Sequence, residues 1–85
     1  MAKVEIYTAD YCPYCVKAKG LLERKGVKYT EIDVTSDAEG RTKLVERANG
    51  SRTVPQIFIN DNHVGGCDDL HALEAAGKLD GMLNG

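Results

Sequence analysis

Two cysteines separated by two residues lie between a strand pattern and a helix pattern, and this placement constrains the fold more than any other feature. Residues 3–8 form an apolar strand pattern, Cys12 and Cys15 follow, and apolar residues recur with a helical period over residues 15–25. Pro13 suits the first position of a helix, where its missing N–H needs no partner. The sequence therefore predicts a strand–turn–helix unit in which Cys12 is the N-cap of the helix.

The residues after this unit continue to alternate between the two patterns. Residues 28–34 read as a second strand, and residues 55–60 read as a third. The helix between them is predicted to begin at one of three N-cap candidates, Thr35, Ser36 or Asp37, and to end at Asn49-Gly50. Its buried face is predicted to carry four residues, namely Ala38, Arg41, Val45 and Ala48.

The last third of the chain predicts one more strand and one more helix. His63-Val64 begins a short fourth strand, and Asp68 or Asp69 is expected to cap a third helix. A final turn is expected around Leu79, Met82 and Leu83. The order β-α-β-α-β-β-α predicts an α/β fold with a four-stranded mixed sheet and helices on both faces. We expect residues 1–85 to form a single domain.

Charge and cysteine count exclude several classes of protein. Eleven basic and thirteen acidic residues give a net charge of −2, which argues against a nucleic-acid partner or an anionic membrane. No apolar run approaches the roughly 18 residues that span a bilayer, and we expect no signal peptide. Three cysteines is an odd number, whereas disulfide-stapled secreted domains usually carry an even one. The cysteine usage predicts a reducing compartment, the cytoplasm, and thiols that are catalytic or metal-binding. We also expect a monomer.

The position of Cys12 at a helix N-terminus indicates a reactive thiol. Unpaired N–H groups and the positive end of the helix dipole favour a thiolate there, near the amides of Tyr14 and Cys15. Cys15 lies one turn inside the helix, so we expect Cys12 to attack and Cys15 to resolve. A zinc site would need four ligands. The only additional candidates are Cys67, His63 and His71, and we expect no metal.

Two further segments have the character of a binding surface. If the bond before Pro55 is cis, Val54 can present its N–H and C=O to an extended ligand, as the edge of a sheet does. Gly65-Gly66 precedes a helix start that can bind a carboxylate, and Asp68 or Asp69 could hold an ammonium group. A carboxylate beside an ammonium group is the α-end of an amino acid.

Together these motifs closely resemble the glutaredoxin family, specifically its small bacterial dithiol class. The resemblance rests on Cys12-Pro13-Tyr14-Cys15, on residues 53–59 and on residues 65–70, and it covers essentially the whole chain. It implies a thioredoxin-like fold, a cis Pro55, glutathione as cosubstrate and no tightly bound cofactor. It also implies that glutathione contacts nine residues, namely Cys12, Tyr14, Thr53, Val54, Pro55, Gly66, Cys67, Asp68 and Asp69.

The resemblance implies a glutathione-dependent thiol–disulfide oxidoreductase that reduces protein–glutathione mixed disulfides and protein disulfides through Cys12 and Cys15. Many relatives carry a basic residue a few positions before the first cysteine, whereas this chain has Ala9-Asp10-Tyr11 there, with no cation and an added acid. The candidate substitutes for that cation are Lys17, Lys19 and Arg52.

Two alternatives to this function stay open at this point. The first is a glutathione-ligated [2Fe–2S] cluster carrier, against which Pro13 argues. The second is a reductase supplied with electrons by thioredoxin reductase, against which the segments around Pro55 and Gly66 argue.

Overall fold

The structure is a computed structural model that describes residues 2–84. It contains four strands and four helices, which follow one another along the chain as β1 (Val4–Thr8), α1 (Pro13–Arg24), β2 (Thr30–Asp33), α2 (Ala38–Arg47), β3 (Gln56–Ile59), β4 (Asn62–Gly65), α3 (Cys67–Ala75) and α4 (Leu79–Leu83). The predicted order is confirmed, and the expected final turn is the short helix α4. The predicted boundaries are less accurate, since β2 begins at Thr30 rather than at residue 28.

The sheet has the mixed topology that the sequence predicts. Its strand order is β2-β1-β3-β4, with β1 parallel to β2 and antiparallel to β3, and β3 antiparallel to β4. Tyr7 near the end of β1 therefore faces Gln56 at the start of β3, and Ile57 faces Gly65 at the end of β4. As a result, the segment after β1, the segment before β3 and the segment after β4 meet at one edge of the sheet.

Helices cover both faces of the sheet, as predicted. On one face α1, α3 and α4 enclose a core of fully buried residues that includes Ile6, Leu22, Ile57, Leu70 and Leu79. On the other face α2 covers a smaller cluster of Tyr7, Val34, Leu44, Ala48 and Phe58. Successive residues of a strand point to opposite faces, which is why Ile57 and Phe58 enter different clusters. Within residues 2–84, no helix has both the length and the apolar character needed to cross a membrane.

The buried face of α2 differs from the predicted one. Leu44, which the prediction omitted, is fully buried, whereas Ala38 is exposed and Val45 is only half-buried. Gly40 sets this rotation, because a Cβ added there would lie about 3.0 Å from a methyl group of Val34. The close approach of Gly40 to the sheet turns the helix so that Leu44, one turn later, faces the core.

The start of α3 also differs from the prediction. The N-cap is Gly66, and Asp68 and Asp69 lie inside the first helical turn rather than capping it. Asp69 reaches back, and its Oδ2 accepts a hydrogen bond from the Gly66 N–H at 3.0 Å. Gly65 makes this start possible because its φ of +120° is one that other residues rarely adopt. At α2 one of the expected caps is confirmed, since Asp37 Oδ1 accepts from the Gly40 N–H at 2.9 Å.

Candidate active site

Cys12 lies at the sheet edge where the three segments meet. It is the N-cap of α1, has an extended backbone with φ −104° and ψ 108°, and precedes Pro13 at the first helical position, as predicted. Its side chain makes no capping hydrogen bond. Instead the Cys12 thiol donates to the carbonyl oxygen of Val54 at 3.4 Å. The hydrogen bond of the sulfur is therefore to the segment before β3 and not to an amide of the helix that it caps.

Cys15 lies behind Cys12, in the interior of the protein. Its side chain is only 1% exposed, and Cys12, Cys15 and Cys67 are all free thiols in the structure. Burial raises the pKa of Cys15 to about 12, and its hydrogen bond with Cys12 acts in the same direction. Cys12 is more exposed than Cys15. The sulfur of Cys12 is therefore accessible from solvent, whereas the adjacent sulfur of Cys15 is shielded from it.

A groove of about 360 Å³ begins next to Cys12. Val54 and Pro55 form one wall, and the peptide bond between them is cis. The structure brings together every residue that the resemblance assigned to a ligand site. Cys12 contacts Val54, and the other eight line the groove, namely Tyr14, Thr53, Val54, Pro55, Gly66, Cys67, Asp68 and Asp69.

The opposite end of the groove lies at the start of α3. The Asp69 carboxylate accepts a hydrogen bond from the Gly66 N–H, whereas the Asp68 side chain is exposed to solvent. Cys67 is 7% exposed, and burial together with the Asp68 carboxylate raises the pKa of its thiol. This end of the groove therefore combines a helix N-terminus with carboxylates, while Cys67 remains a protonated thiol at neutral pH.

Four residues that line the groove were not assigned from the sequence, namely Ser51, Gln56, His63 and Gly65. Three of them belong to one polar network. The Gln56 amide donates to the hydroxyls of Ser51 and Thr53, each at 3.1 Å, and its Oε1 lies 2.6 Å from His63 Nε2. Gln56 is 4% exposed. A polar residue at the start of an otherwise apolar strand was the one signal in the sequence that pointed to it.

The three candidate cations have different surroundings. Lys19 forms an ion pair with Glu31 at 2.9 Å, and Lys17 lies over the ring of Tyr14 at 5.6 Å from its centroid. Arg52 lines a neighbouring cavity of about 410 Å³ together with Arg41. Lys17 is thus next to Tyr14 of the groove, and Arg52 lies in the chain between the groove residues Ser51 and Thr53. Across residues 2–84, no three His, Cys, Asp or Glu side chains cluster closely enough to hold a metal ion.

The family model described as glutaredoxin matches residues 4–64, which include the cysteine pair and the segment before β3. The chain belongs to the glutaredoxin family. It is 58% identical over 84 residues to a glutaredoxin of Pseudomonas aeruginosa, with 99% of each chain covered. It is also 53% identical over 83 residues to glutaredoxin 3 of Escherichia coli K12, and the aligned region covers 98% of this chain and 99% of the relative.

Solved structures agree with this assignment. The crystal structure of a buckwheat glutaredoxin–glutathione complex superimposes with a TM-score of 0.88 at 32% identity, covering 98% of this chain and 77% of the buckwheat chain. The fold is therefore thioredoxin-like, as the resemblance implied. The chain is a thiol–disulfide oxidoreductase of the glutathione-dependent class, and its Cys12 and Cys15 lie close together.

Proposed function

We propose that Cys12 is the nucleophile, that Cys15 is the resolving thiol and that the groove beside them binds glutathione. The observation that carries this proposal is the position of the Cys12 sulfur, 3.4 Å from the Val54 carbonyl that begins one wall of the groove. A glutathione bound along that wall would present its sulfur to Cys12. Cys15 would lie behind Cys12, buried away from solvent.

The groove suits glutathione by charge and by hydrogen bonding. The N-terminus of α3, at Gly66 and Cys67, would receive the α-carboxylate of the γ-glutamyl residue. Asp68 would hold the ammonium group, because the carboxylate of Asp69 already accepts from the Gly66 N–H. Val54 would pair with the cysteinyl backbone as the edge of a sheet pairs with an added strand.

The remaining members of the site flank the ligand. Tyr14 and Thr53 line the groove together with Val54 and Pro55, and they would contact the central part of glutathione. Tyr14 is 55% exposed and can cover the ligand without moving any buried group.

The first reaction would use Cys12 alone. Its thiolate attacks the glutathione sulfur of a protein–glutathione mixed disulfide, the protein leaves as a thiol, and glutathione stays bonded to Cys12. A second glutathione then attacks the glutathione sulfur of this adduct, which yields glutathione disulfide and the free Cys12 thiolate. Only glutathione is consumed, so no dissociable cofactor is required.

The second reaction would use both cysteines. Cys12 attacks a protein disulfide to form a mixed disulfide, and Cys15 then attacks Cys12, so the protein leaves reduced and Cys12–Cys15 becomes oxidised. Glutathione returns this disulfide to the dithiol, since glutaredoxin potentials of about −200 to −230 mV lie close to that of the cellular glutathione pool. A reducing compartment, the cytoplasm, and a monomeric state fit this cycle.

The experiment that tests the proposal is a coupled assay with glutathione, glutathione reductase and NADPH. Wild-type protein should reduce both a glutathionylated peptide and a protein disulfide. Cys12→Ser should lose both activities, whereas Cys15→Ser should keep the first and lose the second. If Cys12→Ser retains activity, the assignment of the nucleophile is wrong, and if Cys15→Ser loses both activities, the division of roles is wrong.

A further inference from the structure

We infer that Lys19 is a positioning residue for the resolving step, and that its ammonium group, held by Glu31, stabilises the Cys15 thiolate as it attacks Cys12. The inference rests on the proposed dithiol route and names a residue that this route requires. It concerns neither the groove nor the first attack by Cys12.

The resolving step needs assistance because Cys15 is poorly suited to ionise. In the adduct, the Cys15 thiol loses its proton, forms a bond to the Cys12 sulfur, and breaks the bond from that sulfur to glutathione. The departing glutathione thiolate takes up a proton, so the sum is Cys15 thiol plus adduct giving the Cys12–Cys15 disulfide plus glutathione. With the Cys15 pKa raised to about 12 by burial, few molecules carry the thiolate at neutral pH.

Lys19 is placed to provide this assistance. It lies four residues after Cys15 on α1, so the two side chains leave the same face of the helix one turn apart. The Lys19 side chain is 26% exposed, which keeps it close to the protein surface instead of extended into water. Its cationic charge acts on the Cys15 thiol, lowering the pKa of Cys15 against the larger effect of burial.

Glu31 fixes the position of the Lys19 ammonium group. Glu31 Oε2 lies 2.9 Å from Lys19 Nζ and accepts a second hydrogen bond, at 2.7 Å, from the hydroxyl of the buried Thr8. Because Thr8 ends β1 and Glu31 lies in β2, the anchor of the lysine belongs to the sheet. The residue after Thr8, Ala9, also lowers the pKa of Cys15 through a backbone hydrogen bond.

Lys17 shows that this placement is specific to one position of the helix. Only two residues earlier on α1, Lys17 lies over the ring of Tyr14. Its charge lowers the pKa of Cys67, against the larger effect of burial. Because residues two apart on a helix do not share a face, Lys17 and Lys19 lie on different sides of α1.

The size of the effect follows from the chemistry of thiolates. Loss of the cation leaves the pKa of Cys15 higher, and each unit by which a thiol pKa rises lowers the thiolate fraction about tenfold. A more basic thiolate is also more nucleophilic, with a Brønsted coefficient of about 0.4–0.5, which restores about threefold. The resolving step should therefore slow by about threefold in Lys19→Gln.

The test isolates the resolving step in a single turnover. Protein is mixed with excess glutathione disulfide to form the Cys12 adduct, which frees one glutathione. The resolving step is then followed as release of the second glutathione with formation of the Cys12–Cys15 disulfide, by rapid acid quench and mass spectrometry of the protein. Lys19→Gln should slow release by about threefold. Lys19→Arg should restore most of the rate because it keeps the charge. Lys28→Gln removes an exposed lysine elsewhere and should match wild type.

A second arm separates this role from a general structural one. In a Cys15→Ser background the resolving step is absent, and Lys19→Gln should leave the rate of deglutathionylation unchanged. Equal release rates in wild type and Lys19→Gln would overturn the role of Lys19, as would an equal loss of deglutathionylation in the Cys15→Ser background. If the wild-type adduct persists and no Cys12–Cys15 disulfide forms, the dithiol route of the proposed function fails instead.

Discussion

The sulfur of Cys12 lies 3.4 Å from the carbonyl oxygen of Val54, although 42 positions separate the two residues in sequence. The antiparallel pairing of β1 with β3 creates this contact, because it brings the end of one strand beside the start of the other. Only the protonated thiol can donate this hydrogen bond. Once Cys12 is a thiolate or is bonded to glutathione, the Val54 carbonyl is released and can accept from a ligand N–H.

Differences in exposure among the three thiols predict which cysteine reacts first. Cys15 and Cys67 are buried, and burial raises the pKa of both thiols, so at neutral pH they are protonated and poorly accessible. Brief treatment of the reduced protein with iodoacetamide at pH 7.5 should label Cys12 at least about tenfold faster than either of the others. Peptide mass spectrometry measures this, and in urea all three should react at similar rates. Equally fast labelling of Cys67 in the folded protein would contradict the prediction.

A methyl group added at Gly65 should disturb the far end of the groove. Gly65 has a φ of +120°, and a Cβ there would overlap the carboxylate of Asp69, which accepts from the Gly66 N–H. Gly65→Ala should therefore lower the free energy of unfolding by about 1–3 kcal/mol and raise the KM for a glutathionylated peptide. Urea unfolding and the coupled assay measure the two effects.

Gly81→Ala is the matched control for this substitution. Gly81 lies in α4, and a Cβ there meets nothing within 4 Å. Alanine is the better helix former, so the variant should unfold with a free energy equal to wild type or higher by about 0.5–1 kcal/mol. If both variants unfold alike, the overlap at Gly65 has no energetic consequence.

We expect that disrupting the polar network around Gln56 affects substrate binding more than turnover. The buried Gln56 amide links Ser51, Thr53 and His63, so Gln56→Leu removes the hydrogen bonds that hold the Thr53 side of the groove. We expect a higher KM for the glutathionylated peptide, a kcat close to wild type, and a loss of about 1–3 kcal/mol in unfolding free energy.

Ser51→Ala is a milder disruption of the same network and is compared with Gln56→Leu. It removes one acceptor of the Gln56 amide and leaves Thr53 and His63 in place. Its effect on KM should have the same direction and a smaller size. A fall in kcat with unchanged KM in Gln56→Leu would show that the network serves the chemical step instead.

Local patterns in the sequence were sufficient to predict the order of the elements and the role of Cys12 as a helix cap. Pro13 after Cys12, and the alternation in the strands, depend only on neighbours in the chain. These features are confirmed in β1, α1 and the antiparallel pair of β3 and β4.

The features that the sequence did not predict depend on contacts between distant residues. Leu44 faces the core because Gly40 packs closely against Val34, a contact that helical periodicity alone does not show. The Gln56 network likewise joins β3, the segment before it and His63 of β4. To predict such a contact, one must know where two elements lie relative to each other. The periodicity of a single sequence indicates only which residues share a face within one element.

The charge cluster that anchors Lys19 predicts how stability varies with pH. The Thr8 hydroxyl, together with the Lys19 ammonium group, lowers the pKa of Glu31 below its ordinary value. The unfolded chain therefore binds a proton at Glu31 more readily than the folded protein does. This stabilisation is present above the ordinary pKa of about 4.3 and disappears as the pH falls through the lower, folded value.

Glu31→Gln should accordingly destabilise the protein at pH 7 and have a smaller effect at pH 3. The Glu31 side chain is 38% exposed, so solvent screening should keep the difference below about 1 kcal/mol. Urea unfolding of both proteins at the two pH values measures this, with Glu46→Gln, an exposed residue of α2, as the control for loss of one negative charge. A difference of the same size at pH 7 and pH 3 would show that the charge of Glu31 contributes nothing and that the residue acts through packing or its hydrogen bond to Thr8.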